Sequence, residues 1–521
     1  MAQLNTASTD SPAAVSEAAI DALFDGSDLA TEEQIKTLCD AFLCSDDSID
    51  NAVSMRDLQK VFSTVEIPDQ HWEMKDYLTL LAKEVVPHSS HLTAPTYIGH
   101  MTSPLPAFIR QLSQLVMVMN QNMMKMESCR GLGFLERQVL AMLHREVFSR
   151  DDGFYQNSVQ HSSFNLGCFT SGGTIANITA MWLALKAGHK LGGVGDDQRG
   201  TIIGSELMHY SFDKAACLIG MRLIRLPVTA DYRLSIPALR QALQQCEANG
   251  EPVVALVAVA GTTDFGSVDP LAEVATIARL HKIHFHVDAA WGGPMMLCDK
   301  GREMLRGIEL ADSVTIDGHK QLMTPMGCGI LLTRQPEALE SIRKQAPYAI
   351  RETSLDQGRF TLEGSRPAMA LYLHAAFHLL GRERYSLLME SSLARTRELA
   401  QMIDEAESFE LMHEPRMNLL VFRYLPISMR NHELSAADND WISAFNTQLQ
   451  KRQRAMGSSF VSRTRRKAHN YQGQSLVLLR AVLLNPLTRT RHLRQVTHDL
   501  CCLGQQLEQE LAEGETILEV A

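Results

Sequence analysis

The chain has 521 residues, 45% of them hydrophobic and 21% charged, which is ordinary for a large globular protein with more than one packed domain. Its net charge of −11 argues against nucleic acid or an anionic membrane as partner, although the run Arg463, Arg465, Arg466, Lys467 is locally basic. Ten cysteines are scattered without Cys-x-x-Cys spacing, the first residues lack the basic start and apolar stretch of a secretory signal, and no apolar run reaches membrane-spanning length. The expectation is a cytoplasmic protein with reduced thiols.

In chain order, the Ser/Thr/Ala-rich start to about residue 15 reads as disordered, and Ser16 to Phe42 and Asn51 to Val86 carry helical periodicity with polar breaks. From about residue 90, short apolar runs alternate with helical segments. Thr201 to Ser205, Val253 to Val259 and Gly329 to Thr333 are examples, and the alternation predicts a largely parallel sheet between helices. A helical stretch follows from Arg366. Phe409 to His413 and Asn418 to Phe422 then open a smaller α/β region.

Three segments in the middle of the chain carry chemistry. Phe169-Thr170-Ser171-Gly172-Gly173-Thr174 is a Gly-rich turn feeding a helix, where backbone N–H groups and the helix dipole suit a phosphate. Phe285-His286-Val287-Asp288 ends an apolar strand in a carboxylate, and Ser313-Val314-Thr315-Ile316-Asp317-Gly318-His319-Lys320 ends another in a histidine and a lysine. Such strand ends are where open α/β sheets bind ligands. Together they supply an amine, an acid and phosphate donors, which is what pyridoxal 5′-phosphate requires. Taken singly, each has a plainer reading: a common Gly-Gly turn, a capping aspartate, a solvated lysine.

The ordered set Thr170-Ser171-Gly172-Gly173-Thr174, His209-Tyr210-Ser211-Phe212-Asp213-Lys214, Ala260-Gly261-Thr262-Thr263-Asp264, His286-Val287-Asp288-Ala289-Ala290 and Gly318-His319-Lys320 resembles the group II pyridoxal-phosphate-dependent amino-acid decarboxylases of fold type I. The likeness extends more loosely from about residue 80 to about residue 500. It implies an α/β fold with a mostly parallel seven-stranded sheet. It also implies an N-terminal helical arm over residues 1–89, a large cofactor-binding domain over 90–385 and a small C-terminal α/β domain over 386–521. In the family the arm wraps a partner subunit and the active site lies at a dimer interface, so a homodimer is expected. Carried over residue by residue, Lys320 would bind the cofactor aldehyde, Asp288 would pair with the ring nitrogen and His209 would stack on the ring. Ala290 would pack on the opposite face, Thr263 would lie near the ring, and Gly172, Gly173, Thr174 and His319 would hold the phosphate. Where family members usually have Asn-Pro-His-Lys, this chain has Asp317-Gly318-His319-Lys320. A carboxylate would repel phosphate, so no phosphate contact is assigned to Asp317.

Tyr348, in a polar stretch after Lys320, resembles the family's lid-loop tyrosine that protonates the former α-carbon; its plainer reading is an ordinary loop tyrosine. Arg480, inside the apolar run Ser475 to Leu484, resembles the arginine that grips a substrate carboxylate, the alternative being a buried structural ion pair. His100 falls in a pocket-lining region of relatives, and Arg366 matches a position near the active-site entrance. The pattern is most similar to the bacterial aspartate 1-decarboxylases that make β-alanine for pantothenate. Glutamate to 4-aminobutyrate is the close alternative, with 2,4-diaminobutyrate and cysteine sulfinate also open. A metal reading of His281, His284, His286 and Asp288 is disfavoured because it leaves the Gly-Gly-Thr and His-Lys segments without a role; no metal is expected.

Overall fold

The computed structural model describes residues 28–44, 55–190, 199–345 and 354–514, together with residues 24, 49, 195 and 518. The expected disorder before residue 16 and the position of Tyr348 lie outside the described residues. The chain divides into two compact units, Met1–His91 and Leu92–Ala521. In the first, helices Leu29–Cys44, Met55–Val61 and Met74–Leu80 occur where helical periodicity was expected, the last running into a π-helical turn, Leu81–Val85. The rings of Phe42 and His91 meet edge-on at 5.2 Å, and the His91 N–H donates to the Ile49 carbonyl.

The second unit is built on a sheet of seven strands: β1 (Gly167–Thr170), β2 (Thr201–Ser205), β3 (Arg222–Leu226), β4 (Val253–Val259), β5 (His284–Asp288), β6 (Ser313–Asp317) and β7 (Gly329–Thr333). Their spatial order is β1-β7-β6-β5-β4-β2-β3. Pairs among β2 to β6 are parallel, and only β7 runs antiparallel, to both β6 and β1. Helices cover both faces of the central strands, so Ala255 to Val259 and Phe285 to Asp288 are buried throughout, and β4 reads as an unbroken apolar run. A mostly parallel seven-stranded sheet between helices is thus the observed α/β architecture.

A second sheet follows in the chain: β8 (Phe409–Leu411), β9 (Leu419–Tyr424), β10 (Ser462–Ala468) and β11 (Gln474–Val482), all antiparallel in the order β10-β11-β9-β8. One face packs on helices Ala436–Met456 and Thr490–Glu513 around Phe422, Phe445, Leu479 and Val496. Ser435 and Asp438 close the first of these helices in a reciprocal capping box. The helical stretch Met369–Glu405 precedes this sheet and is broken at Gly381, whose φ of 65° only glycine adopts readily.

Two features of the packing fix the region around the Gly-rich turn. A Cβ on Gly329 would lie 2.5 Å from the Gly172 Cα and 2.6 Å from Thr170 Oγ1, so β7 and the turn approach as bare backbone. Arg366 lies not at an open entrance but in a bidentate pair with Glu136, Nη1 to Oε2 at 2.6 Å and Nη2 to Oε1 at 2.5 Å, with side-chain exposures of 6% and 0%. Its carbonyl accepts from the Met123 N–H. Removing one member of such a pair strands a charge in the core. Arg366→Leu is expected to cost about 3–5 kcal/mol, read as a lower denaturant midpoint, with Arg366→Leu/Glu136→Leu recovering most of it; an unchanged midpoint in the single variant would refute the pair's structural role.

Candidate active site

The carboxyl ends of β4, β5 and β6 place Val259, Asp288 and Asp317 at the rim of one cavity of about 340 Å³, within the usual range for small-ligand sites. The helix Gly173–Lys190 starts at the same rim, and its first N–H groups lack intrahelical acceptors. Gly172, Gly173, Thr174, His209, Thr263, Asp288, Ala290, His319 and Lys320 all line this cavity, joined by Asn177, Tyr210, Trp291, Asp317 and Met326. Residues far apart in the chain, such as Gly172 and Lys320, therefore converge because strand ends in a parallel sheet share one edge.

Asp288 is 4% exposed. Its Oδ1 accepts from the Ala290 N–H at 3.1 Å, a turn contact that satisfies the capping reading, while Oδ2 accepts from Asn177 Nδ2 at 3.0 Å. Lys320 Nζ lies 3.0 Å from Asp317 Oδ2, and His319 Nε2 lies 3.7 Å from the same oxygen. Asp317 thus serves as a counter-charge to the lysine. Its other oxygen, Oδ1, is buried without a protein partner, and a Cβ on Gly173 would sit 2.8 Å from Oδ2, so glycine is what lets the carboxylate approach the helix start.

The histidines are conditioned by burial. His209 is held below its ordinary pKa by desolvation, opposed by the Asp288 charge. Its Nδ1 accepts from the Ser211 N–H at 3.2 Å, so the neutral ring carries its proton on Nε2. Burial likewise lowers the His319 pKa, and Asp317 opposes it. His319 Nδ1 is 3.2 Å from the Cys328 carbonyl, which only accepts. The neutral ring therefore presents a bare Nε2, and the imidazolium is needed for it to donate to an anion.

Arg480 and His100 do not line the cavity, and Arg480 lies behind Thr263. Arg480 Nη1 donates to the Thr263 carbonyl at 2.9 Å, Nη2 to the Gly99 carbonyl at 3.1 Å and Nε to Ser462 Oγ at 3.1 Å. Burial lowers its pKa, opposed by Asp264, whose carboxylate is engaged by Thr464 and Arg466. His100 Nδ1 lies 2.6 Å from the Tyr97 hydroxyl, and its pKa is lowered by burial and then by the Arg480 charge. The metal reading of β5 meets a different use of the same side chains: His284 and His286 both face Ser313, and His286 reaches Asn177.

Asn177 was missed in the sequence. Its signal was a polar residue inside the apolar helical run Ile175 to Leu185, which in a buried helix demands a partner.

The cavity fits pyridoxal 5′-phosphate on its own features. A lysine amine, a buried carboxylate and a glycine-rich helix start face one space of suitable volume, and Trp291 Nε1 and Asp317 Oδ1 in its wall are buried polar atoms without protein partners. Among the described residues no helix is long and apolar enough to cross a membrane.

Comparison with known proteins agrees with this geometry. The profile of the pyridoxal-dependent decarboxylase conserved domain matches residues 61–425. The aspartate 1-decarboxylase of Aliivibrio fischeri is 39% identical over 468 residues, 85% of each chain. The L-2,4-diaminobutyrate decarboxylase of Rhizobium meliloti is 29% identical over 67% of this chain and 68% of its own. In architecture, the crystal structure of mouse CSAD superposes with a TM-score of 0.80 at 24% identity, covering 92% of this chain and 99% of that one. The match over most of the chain, on a sheet that gathers Lys320, Asp288 and the Gly-rich turn into one cavity, makes this chain a member of the pyridoxal-phosphate-dependent decarboxylases, a carboxy-lyase.

Proposed function

We propose that this enzyme removes the α-carboxylate of an acidic L-amino acid, with aspartate to β-alanine and carbon dioxide preferred and glutamate to 4-aminobutyrate the alternative. The observation that carries the reaction is the convergence of Lys320 and Asp288 on one cavity beside the Gly172-Gly173-Thr174 helix start. The aspartate preference is supported by the 39% identity, over 85% of both chains, to a protein that bears that activity in its name.

Bound pyridoxal phosphate supplies an electron sink for the pair left when carbon dioxide departs. Lys320 would provide the amine that holds the cofactor and that the substrate's amino group displaces. Asp288 would pair with the ring nitrogen by a charge-assisted hydrogen bond in a water-poor place. The neutral His209 ring offers a flat face for stacking, and Ala290 leaves room on the other side. Gly172, Gly173, Thr174 and a protonated His319 grip the phosphate. Tyr348 is the proposed proton donor to the former α-carbon.

Arg480 places an anion-attracting charge behind Thr263. Three of the five N–H donors of a guanidinium are spent on Ser462, Thr263 and Gly99, and among the described residues no carboxylate lies within ion-pair distance of it. A substrate side-chain carboxylate would balance that charge, and His100 would border the same space. Aspartate and glutamate differ by one methylene, a difference pockets resolve by about 1–3 kcal/mol.

The assembly in this reading is a cytoplasmic homodimer supplying β-alanine for pantothenate. The dimer alone is supported by the exposure of Met117 and Val118 on helix Ala107–Met119 and of Tyr210 and Met326 at the cavity wall, apolar surfaces that a second subunit would cover.

Cofactor-loaded protein given aspartate, glutamate, 2,4-diaminobutyrate or cysteine sulfinate separately should release β-alanine and carbon dioxide from aspartate at the highest kcat/KM. A dominant 4-aminobutyrate yield would transfer the assignment to glutamate. Lys320→Ala should abolish the visible absorbance of the lysine-linked cofactor, and a retained band would remove Lys320 from its role. Arg480→Met should reduce kcat/KM for aspartate by about tenfold or more, the value of a lost charge-assisted contact, and more than for neutral amino acids, with a thermal melt reading separately what its bonds to Thr263, Gly99 and Ser462 contribute to folding; equal losses on acidic and neutral amino acids would make the arginine purely structural.

A further inference from the structure

Behind the cavity, a line of buried polar groups leads away from Asp288. Asn177 Nδ2 lies 3.0 Å from Asp288 Oδ2 and 3.0 Å from Ser211 Oγ, and Asn177 Oδ1 lies 3.1 Å from His286 Nε2. His286 Nδ1 lies 2.8 Å from Ser313 Oγ, which lies 2.7 Å from His284 Nε2. The line follows from the sheet itself. His284 and His286 share a face by the two-residue period of β5, and the parallel register pairs His286 with Ser313 of β6.

Counting donors fixes the direction. A carboxylate only accepts, so Asn177 must turn its NH₂ to Asp288; the opposite amide orientation would set two acceptors 3.0 Å apart. The amide oxygen then faces His286, which must carry a proton on Nε2. His286 is 0% exposed, and burial holds its pKa down to about 3, so the ring is neutral and Nδ1 is bare. Ser313 therefore donates its hydroxyl proton to Nδ1, and its oxygen accepts from His284 Nε2–H. Every bond points toward Asp288, and each partner removes the alternative orientation of the next.

We infer that this one-directional chain, His284 to Ser313 to His286 to Asn177, sets the carboxylate of Asp288 toward the cofactor's ring nitrogen, which makes Asn177 and His286 positioning residues for the reaction. Without the His286 donor, Asn177 Oδ1 loses its partner, the amide is held from its NH₂ side alone by Asp288 and Ser211, and its aim on the carboxylate loosens. The inference rests on the reading of Asp288 as partner of that nitrogen.

The test compares the affinity of cofactor-free protein for pyridoxal phosphate with that for the analogue carrying carbon in place of the ring nitrogen. Wild type should prefer pyridoxal phosphate. His286→Leu should cut that preference by about tenfold, the scale of one hydrogen bond to a charged group, and His286→Gln, whose amide can still donate to Asn177, should retain most of it. Equal weakening toward both ligands, an unchanged preference, or glutamine behaving as leucine would overturn the proposal. Should His286→Leu fail to fold, Ser313→Ala carries the test: it removes one oxygen and should reduce the preference in the same direction, and an unchanged preference overturns the chain. Asp288→Ala separates the two levels. A preference that survives in it defeats the reading of Asp288, whereas a preference lost there but intact in the His286 and Ser313 variants defeats the chain alone.

Discussion

The site depends on a carboxylate held in a fixed orientation at the end of a buried strand. Asp288 is nearly inaccessible to water. The amide of Asn177 and the N–H of Ala290 each donate to one of its oxygens, replacing the lost hydration with fixed dipoles. An ordinary hydrophobic strand end would gain more stability. The polar groups beneath it, from Asn177 to His284, cost packing and are tolerated because every one finds a partner. This part of the sheet is built for charge placement and not for core density.

The second charged centre solves the opposite problem. Lys320 follows β6 at the mouth of the cavity, where Asp317 neutralises it and also touches His319. An asparagine there would offer a neutral hydrogen bond; the aspartate offers a full charge close to the helix start at Gly173. The cavity therefore carries two carboxylates, one at the end of β5 and one beside the lysine, with Lys320 and the helix-start N–H groups as the balancing positive ends. The glycines at 172, 173 and 329 matter here because side chains would push these backbones apart.

Arg480 links the two sheets of the larger unit. It leaves β11 of the four-stranded sheet and ties together the carbonyls of Thr263 and Gly99, so its charge reaches the cavity wall through one residue. Anchoring and anion attraction are compatible in a guanidinium because its donors radiate in a plane and only some are spent. Arg366, which the resemblance sets near the active-site entrance, has both ends of its fork filled by Glu136 and serves the core. Two arginines in apolar surroundings thus have different partners, and that is a tertiary fact.

Much of this was legible in the chain. The unbroken apolar run Val253 to Val259 pointed to a strand covered on both faces, as central strands of a parallel sheet are. The ordered Gly-Gly-Thr, Asp288 and His-Lys segments determined the cofactor, since its amine, acid and phosphate requirements are local and chemically distinct. Pairing was decided by the tertiary structure alone. Nothing local says that Arg366 meets Glu136 or that Asn177 bridges Asp288 and His286, since each contact joins side chains brought together by strand register and helix docking. Residue type and spacing fix which groups are available; the geometry of the packed sheet fixes which charge meets which dipole.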